Sequence, residues 1–229
     1  MSCARCASHV ILLASAHGVR LPMRRQAQSS GARVVTRAGT GSLEGIAQAD
    51  YSVPVTFEGS QTFNLIADTG SSTMAVAASP FAGCMPFFTP HTGACDGSTA
   101  SNAYGDGSNF SGRVCNGSAV SIAGLSAGLP AFVGILSSAG GFFAECNTSA
   151  PNNNQGILGL AYKSLIPTRP YGPLLDSVVA ATGIADVFSM QCCGASVDAG
   201  PPVGSGLLVL GEPVDEHNVT EDVASLFTG

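Results

Sequence analysis

Gln61-Thr62-Phe63-Asn64-Leu65-Ile66-Ala67-Asp68-Thr69-Gly70-Ser71-Ser72 reads as a strand that loses its polar side as it advances and ends on a carboxylate. From Thr62 to Leu65 polar and apolar residues alternate, as in an extended chain with one buried face. At Leu65-Ile66-Ala67 the alternation stops. Three apolar residues in a row predict a segment buried on both sides, which delivers Asp68 to the interior or into a cleft. Alone, Asp-Thr-Gly is a turn whose carboxylate accepts from the amides of Gly70 and Ser71. Its setting is more specific: an apolar strand precedes it, Ser71-Ser72 follow, and residues 71–78 resume an extended apolar pattern.

Outward from this motif the chain reads as strands and turns. Residues 51–57 alternate and Glu58-Gly59-Ser60 is a turn, so a hairpin is predicted to feed Asp68. Residues 80–101, rich in Pro, Gly, Thr and Cys and without a period, predict a surface loop stapled by Cys84 and Cys95. Tyr104-Gly105-Asp106-Gly107-Ser108 predicts a hairpin tip, because Asp-Gly suits turns that need positive φ. Strands are predicted over 111–122 and 129–136, a polar loop over 152–155, and a short buried strand closed by glycine at Gly156-Ile157-Leu158-Gly159-Leu160. A helix is predicted over 173–181, with Pro173 in its first turn, Leu174, Leu175, Val178 and Val179 on one face, and Gly183 as its stop. Residues 187–191 and 207–210 are the last clear strands. Only 10% of residues are charged, against about a quarter in ordinary soluble domains. With 29 Gly and 13 Pro, this composition predicts an all-β class.

Taken in order, these motifs resemble the pepsin-like aspartic proteases over roughly residues 51–211. The stretch 61–72 is similar to that family's first catalytic motif. Met74-Ala75-Val76, in place of Leu-Trp-Val, is similar to the beta-secretase branch. Tyr104-Gly105-Asp106-Gly107-Ser108 resembles the flap, and Gly156-Ile157-Leu158-Gly159-Leu160-Ala161-Tyr162 resembles the glycine-closed strand that crosses under the catalytic loop. Phe188-Ser189-Met190-Gln191 and Leu207-Leu208-Val209-Leu210-Gly211 resemble the end of the first lobe. The resemblance implies a pepsin-like acid-protease lobe and aspartic endopeptidase chemistry. Asp68 would be one of two carboxylates holding the water that attacks a peptide carbonyl; like charges about 3 Å apart cannot both ionise, so the pair shares a proton. Thr69, Gly70 and Ser71 would support the loop, Gly70 by permitting close backbone approach and Ser71 by bonding the outer oxygen of Asp68. Tyr104, with Gly105, Asp106 and Gly107 at the tip, would close over an extended polypeptide and exclude water. The plainer reading of Tyr104 is a strand-edge aromatic packed on the sheet.

The sequence also departs from the family pattern. No second apolar-apolar-Asp-Thr/Ser-Gly follows Gly70. One aspartate cannot run shared-proton chemistry, so the expectation is an N-terminal lobe over 44–206, an inter-lobe connection starting within 207–229, a missing second lobe, and an inactive chain until that lobe is supplied. Cys193 falls where the beta-secretase branch has a cysteine paired to the second lobe. Ala75 removes an indole that many relatives use to orient the flap tyrosine. The full-length protein is expected to be monomeric.

The formal charge of −6 hides an asymmetry: residues 1–43 hold six Arg and no acid, while the rest carries all 15 acids against Arg113, Lys163 and Arg169. So acidic a body is a poor nucleic-acid binder. Residues 1–43 read as a secretory signal, a transit peptide or a basic pro-segment. Cys84, Cys95, Cys115, Cys146, Cys192 and Cys193, with sequons at Asn109, Asn116, Asn147 and Asn218, favour an oxidising secretory route to a vacuole, a lysosome or the exterior; a plastid is the alternative. No membrane span, metal site or cofactor is expected.

Two other classes compete. Gly124-Leu125-Ser126-Ala127-Gly128 matches the serine-hydrolase elbow, but Pro130 stands where a helix should begin and the one downstream histidine is His217. A non-catalytic peptide-binding or inhibitor-like module on the protease scaffold is the stronger alternative, since half a cleft can still take an extended peptide by strand addition.

Overall fold

The computed structural model describes residues 13–14, 38–46, 50–80, 86–90, 94–95, 97–143, 146, 153–165, 171–193 and 203–212. Cys3, Cys6, Cys84, Asn147, Asn218 and the side chains of Cys192 and Cys193 lie outside the described residues. In chain order the described strands are β1 (Leu13–Ala14), β2 (Gly39–Ile46), β3 (Tyr51–Phe57), β4 (Gln61–Asp68), β5 (Met74–Ala77), β6 (Thr99–Ala103), β7 (Asn109–Ile122), β8 (Leu125–Ala139), β9 (Gly156–Gly159), β10 (Val187–Cys193) and β11 (Val203–Leu210), with the helix α1 (Leu174–Thr182) between β9 and β10.

Alternation places Val53, Val55 and Phe57 of β3 and Phe63 and Leu65 of β4 in the core. The turn joining the two strands has positive φ at Glu58 (52°) and Gly59 (74°), a two-residue geometry whose twist matches its strands. β3, β4, β9, β5, β8 and β7 pair in that order and β7 pairs back onto β3, so the six close into a barrel. Closure leaves none of them with an open edge on which to aggregate. Phe57, Phe63, Phe88 and Phe132 form the aromatic centre of the core, with ring centroids 5.2 to 6.3 Å apart. Each buried ring contributes roughly 1.5–3 kcal/mol. β2, β11, β10 and β1 extend the sheet outward from β3. Pro173 caps α1 and Gly183 ends it at φ 72°, its N–H on Val179 O at 2.9 Å. The helix buries Leu174, Leu175 and Val178 against the core.

Two expectations need correction. The loop over 80–101 is not stapled by Cys84 and Cys95; Cys95 is bonded to Cys115. The backbone explains why: Asn116 N–H donates to Ala94 O (2.8 Å) and Val114 N–H to Ser98 O (2.9 Å), so this segment runs along β7 and sets Cys95 across from Cys115. Cys146 is also in a disulfide. Second, the loop yields a strand, β6, which the sequence reading missed because Thr99–Ala103 buries only Ala100. The expected strands β7 and β8 form one long hairpin through Ala123 (φ 52°) and Gly124 (φ 76°). The apparent hydrolase elbow is therefore a hairpin turn running into a strand, without the strand-to-helix turn that exposes a nucleophilic serine.

Candidate active site

The chain leaves β4 at Asp68, turns through Thr69 and Gly70, and returns as β5. β9 runs between these arms, parallel to β4 with Gly159 opposite Asp68 and antiparallel to β5 with Leu158 opposite Met74. Three backbone bonds tie the loop to this crossing: Leu160 N–H to Asp68 O (2.7 Å), Ala161 N–H to Ser71 O (2.9 Å) and Gly159 N–H to Thr73 O (3.0 Å). The Ser72 hydroxyl adds a fourth, to Tyr162 O. The fit is so close that a Cβ on Gly159 would lie 2.4 Å from Thr73 N.

The half-buried Asp68 accepts the Gly70 amide on Oδ1 at 2.8 Å. Thr69 is half-buried and Gly70 exposed. The bond expected from Ser71 to the Asp68 carboxylate is not formed. The buried Ser71 hydroxyl faces the Tyr104 hydroxyl instead.

β6 and β7 are the arms of the flap-like hairpin. At its tip Tyr104 N–H donates to Ser108 O (2.9 Å) and Gly107 N–H to Tyr104 O (3.1 Å). Gly107 takes φ 87°, a conformation in which glycine is unstrained. Asp106 Oδ1 accepts Ser108 N–H at 2.8 Å, and the Ser108 hydroxyl and amide together hold this exposed carboxyl below the ordinary aspartate range. Gly105 is exposed.

The Tyr104 ring stacks on Phe142 (5.8 Å, 25°) and leans on Phe110 (6.2 Å). This satisfies the plainer reading of the ring as sheet packing, but it does not account for the hydroxyl, which is buried without a hydrogen-bond partner. Burial pushes the Tyr104 phenol up, Asn102 opposes it, the charge of Asp68 pushes up again, and Ser71 opposes that. The two groups line one cavity of about 410 Å³, together with Asp106, Asp50, Asn154, Ser108, Gly141, Cys146 and the apolar Ile66, Phe142 and Ile157. Its size and mixed walls suit a ligand site. Asp68 and the tyrosine-tipped hairpin therefore meet, as the motifs led one to expect.

Residues 28–223 match the family model described as eukaryotic aspartyl protease. The chain belongs to the eukaryotic aspartyl protease family. A beta-secretase from Strongylocentrotus purpuratus is 31% identical over 140 residues, 59% of this chain and 25% of that protein. The match thus spans about a quarter of the curated relative's length.

Within this family member, sequence reasoning missed three participants: Phe142, the platform for Tyr104; Asp50, on the cavity wall; and Asn102, whose Nδ2 donates to Thr73 Oγ1 at 2.9 Å. Phe142-Phe143 after Gly140-Gly141 was the available signal for the platform, an aromatic pair after a turn. The other two carry no local signal. Among the described residues, no helix is long and apolar enough to cross a membrane.

Proposed function

We propose that the chain is the N-terminal lobe of an aspartic endopeptidase, spanning about 44–206 with the inter-lobe connection beginning within 207–229. Asp68 acts as one of two carboxylates that activate water against a peptide carbonyl, and the second comes from another lobe. The observation that carries the reading is the shared cavity of Asp68 and Tyr104. An ionisable group beneath a movable hairpin can bind an extended polypeptide, take a proton from water and exclude solvent as the hairpin closes. Thr69, Gly70 and Ser71 hold the loop, and Gly105, Asp106 and Gly107 carry Tyr104 over the substrate. The Cys95–Cys115 bond supports an oxidising secretory route, and Asn116, exposed in a sequon, supports glycosylation there. A vacuole, a lysosome or the exterior is the destination, with a plastid the alternative.

The test is hydrolysis of a fluorescence-quenched peptide at acid pH. The 229-residue chain alone should give no pepstatin-sensitive turnover. The chain extended by its downstream coding sequence should turn over, and Asp68→Asn should abolish this. Turnover by the chain alone that vanishes in Asp68→Asn would overturn the need for a second lobe. A stop codon directly after Gly229 would remove the second lobe from the proposal, and extended protein that survives Asp68→Asn would overturn the role of Asp68.

A further inference from the structure

We propose that Asn102 is the positioning residue of the flap: anchored on Thr73, its carboxamide sets how Tyr104 stands over the catalytic loop. The inference rests on the reading of Tyr104 as the flap residue above Asp68.

Asn102 lies in β6 two residues before Tyr104, so their side chains leave the extended chain on the same face. Its Nδ2 donates to Thr73 Oγ1 at 2.9 Å, and Thr73, 1% exposed, is in the loop between Asp68 and β5. Thr73 is itself held, because its carbonyl accepts Gly159 N–H at 3.0 Å. A continuous path of hydrogen bonds therefore runs from the strand beneath the catalytic loop, through Thr73, to the root of the flap. The aromatic neighbours Phe142 and Phe110 fix the Tyr104 ring from the side but offer its hydroxyl nothing. That hydroxyl faces the Asn102 carboxamide and the Ser71 hydroxyl, both of which favour its ionised form. Buried hydroxyls such as Tyr104 Oη and Ser71 Oγ are costly without partners. Asn102 is the side chain placed to serve the phenol. It uses one N–H on Thr73, and a carboxamide keeps a second N–H and an acceptor oxygen, enough to serve Tyr104 without leaving Thr73.

The test places 3,5-difluorotyrosine at position 104 of the 229-residue chain, which lowers the phenol titration to accessible pH, and follows it by fluorine NMR. In Asn102→Leu the titration should move to higher pH, because a donor to the phenolate is lost. Thr73→Val should move it in the same direction, Thr73→Ser should keep the wild-type titration, and the Asn102→Leu/Thr73→Val double variant should move it no further than Asn102→Leu. An unchanged titration in folded Asn102→Leu, or additive shifts in the double variant, would overturn the assignment. Should Asn102→Leu fail to fold, the Thr73→Val and Thr73→Ser pair decides: equal titrations in the two overturn it. Asp68→Asn in the same assay should lower the titration. If it does not, the reading of Tyr104 as facing Asp68 fails, while the Asn102 result is judged on its own variants.

Discussion

Gly159→Ala tests whether the Asp68 loop is held by direct backbone contact with β9. A methyl at this position would sit 2.4 Å from Thr73 N, 2.6 Å from Ser72 C and 2.7 Å from Ser71 O. All three are backbone atoms, so no rotamer change relieves the clash and β9 has to withdraw. Withdrawal strains the bonds from Gly159, Leu160 and Ala161 to Thr73, Asp68 and Ser71 together. Overpacking costs about 1–3 kcal/mol, and three weakened hydrogen bonds add about 0.5–1 kcal/mol each, for a total of roughly 2.5–6 kcal/mol. In a chain of this size each kcal/mol lowers Tm by about 2–4 °C, so a fall of roughly 5–24 °C is expected. Gly128→Ala in β8 is the control: its Cβ would meet nothing within 4 Å, and its effect should stay within about 0.5 kcal/mol. Urea and thermal unfolding followed by circular dichroism compare the two. A Gly159→Ala protein within 1 kcal/mol of wild type by this assay would refute the argument that backbone contact sets the loop.

The Cys95→Ala/Cys115→Ala double variant should lose about 3 kcal/mol in urea unfolding, the chain-entropy value for a loop near its sequence separation of 20; an unchanged midpoint would mean that the 94–98 segment is held by its backbone bonds alone. Asp176 lies in the first turn of α1, where the helix dipole favours its charge, but burial first and Asp186 second raise its carboxyl above the ordinary value, against the opposing pull of Lys163. A carboxyl that holds its proton more tightly when folded stabilises nothing at low pH and costs stability once the pH passes the unfolded-state value. Asp176→Asn should therefore gain stability over wild type at pH 7 and lose that advantage below about pH 3, and urea midpoints at the two pH values check the sign.

The elements legible in the sequence are those in which local chemistry and tertiary role coincide. Glu58-Gly59 and Gly107 take the positive φ their turns need, and Pro173 and Gly183 bracket α1; of Leu65-Ile66-Ala67, expected to be buried on both sides, only Leu65 is fully buried, because Ile66 faces the cavity. β2 was invisible for the opposite reason. Gly39, Thr40, Gly41 and Ser42 show no alternation, and their strand exists because β11 pairs along its whole length. The glycines there serve contact, since a Cβ on Gly39 would reach Leu125 Cδ1 at 2.5 Å. The partner of Cys95 was equally hidden, because it depends on the 94–98 segment lying along β7. At the site, Asp68 and Tyr104 were legible as motifs, whereas Asn102 and Phe142 acquire meaning only when β6 folds over the loop.

The device presenting Asp68 is built almost wholly from main chain. Gly159, Leu160 and Ala161 bind backbone carbonyls, and the carboxylate itself contributes one bond, from the Gly70 amide to Oδ1. An asparagine side chain keeps an acceptor oxygen in that place, so Asp68→Asn removes charge and acid-base capacity while leaving the loop's hydrogen bonds intact. Geometry and chemistry are thereby separable at this residue. Here the backbone does the holding; the proposed shared-proton chemistry would need a second carboxylate within about 3 Å, because one carboxyl cannot serve as acid and base at once. That is why the substitution is a sharp probe of function: lost turnover in a variant of unchanged stability reports on the carboxylate, not on the fold around it.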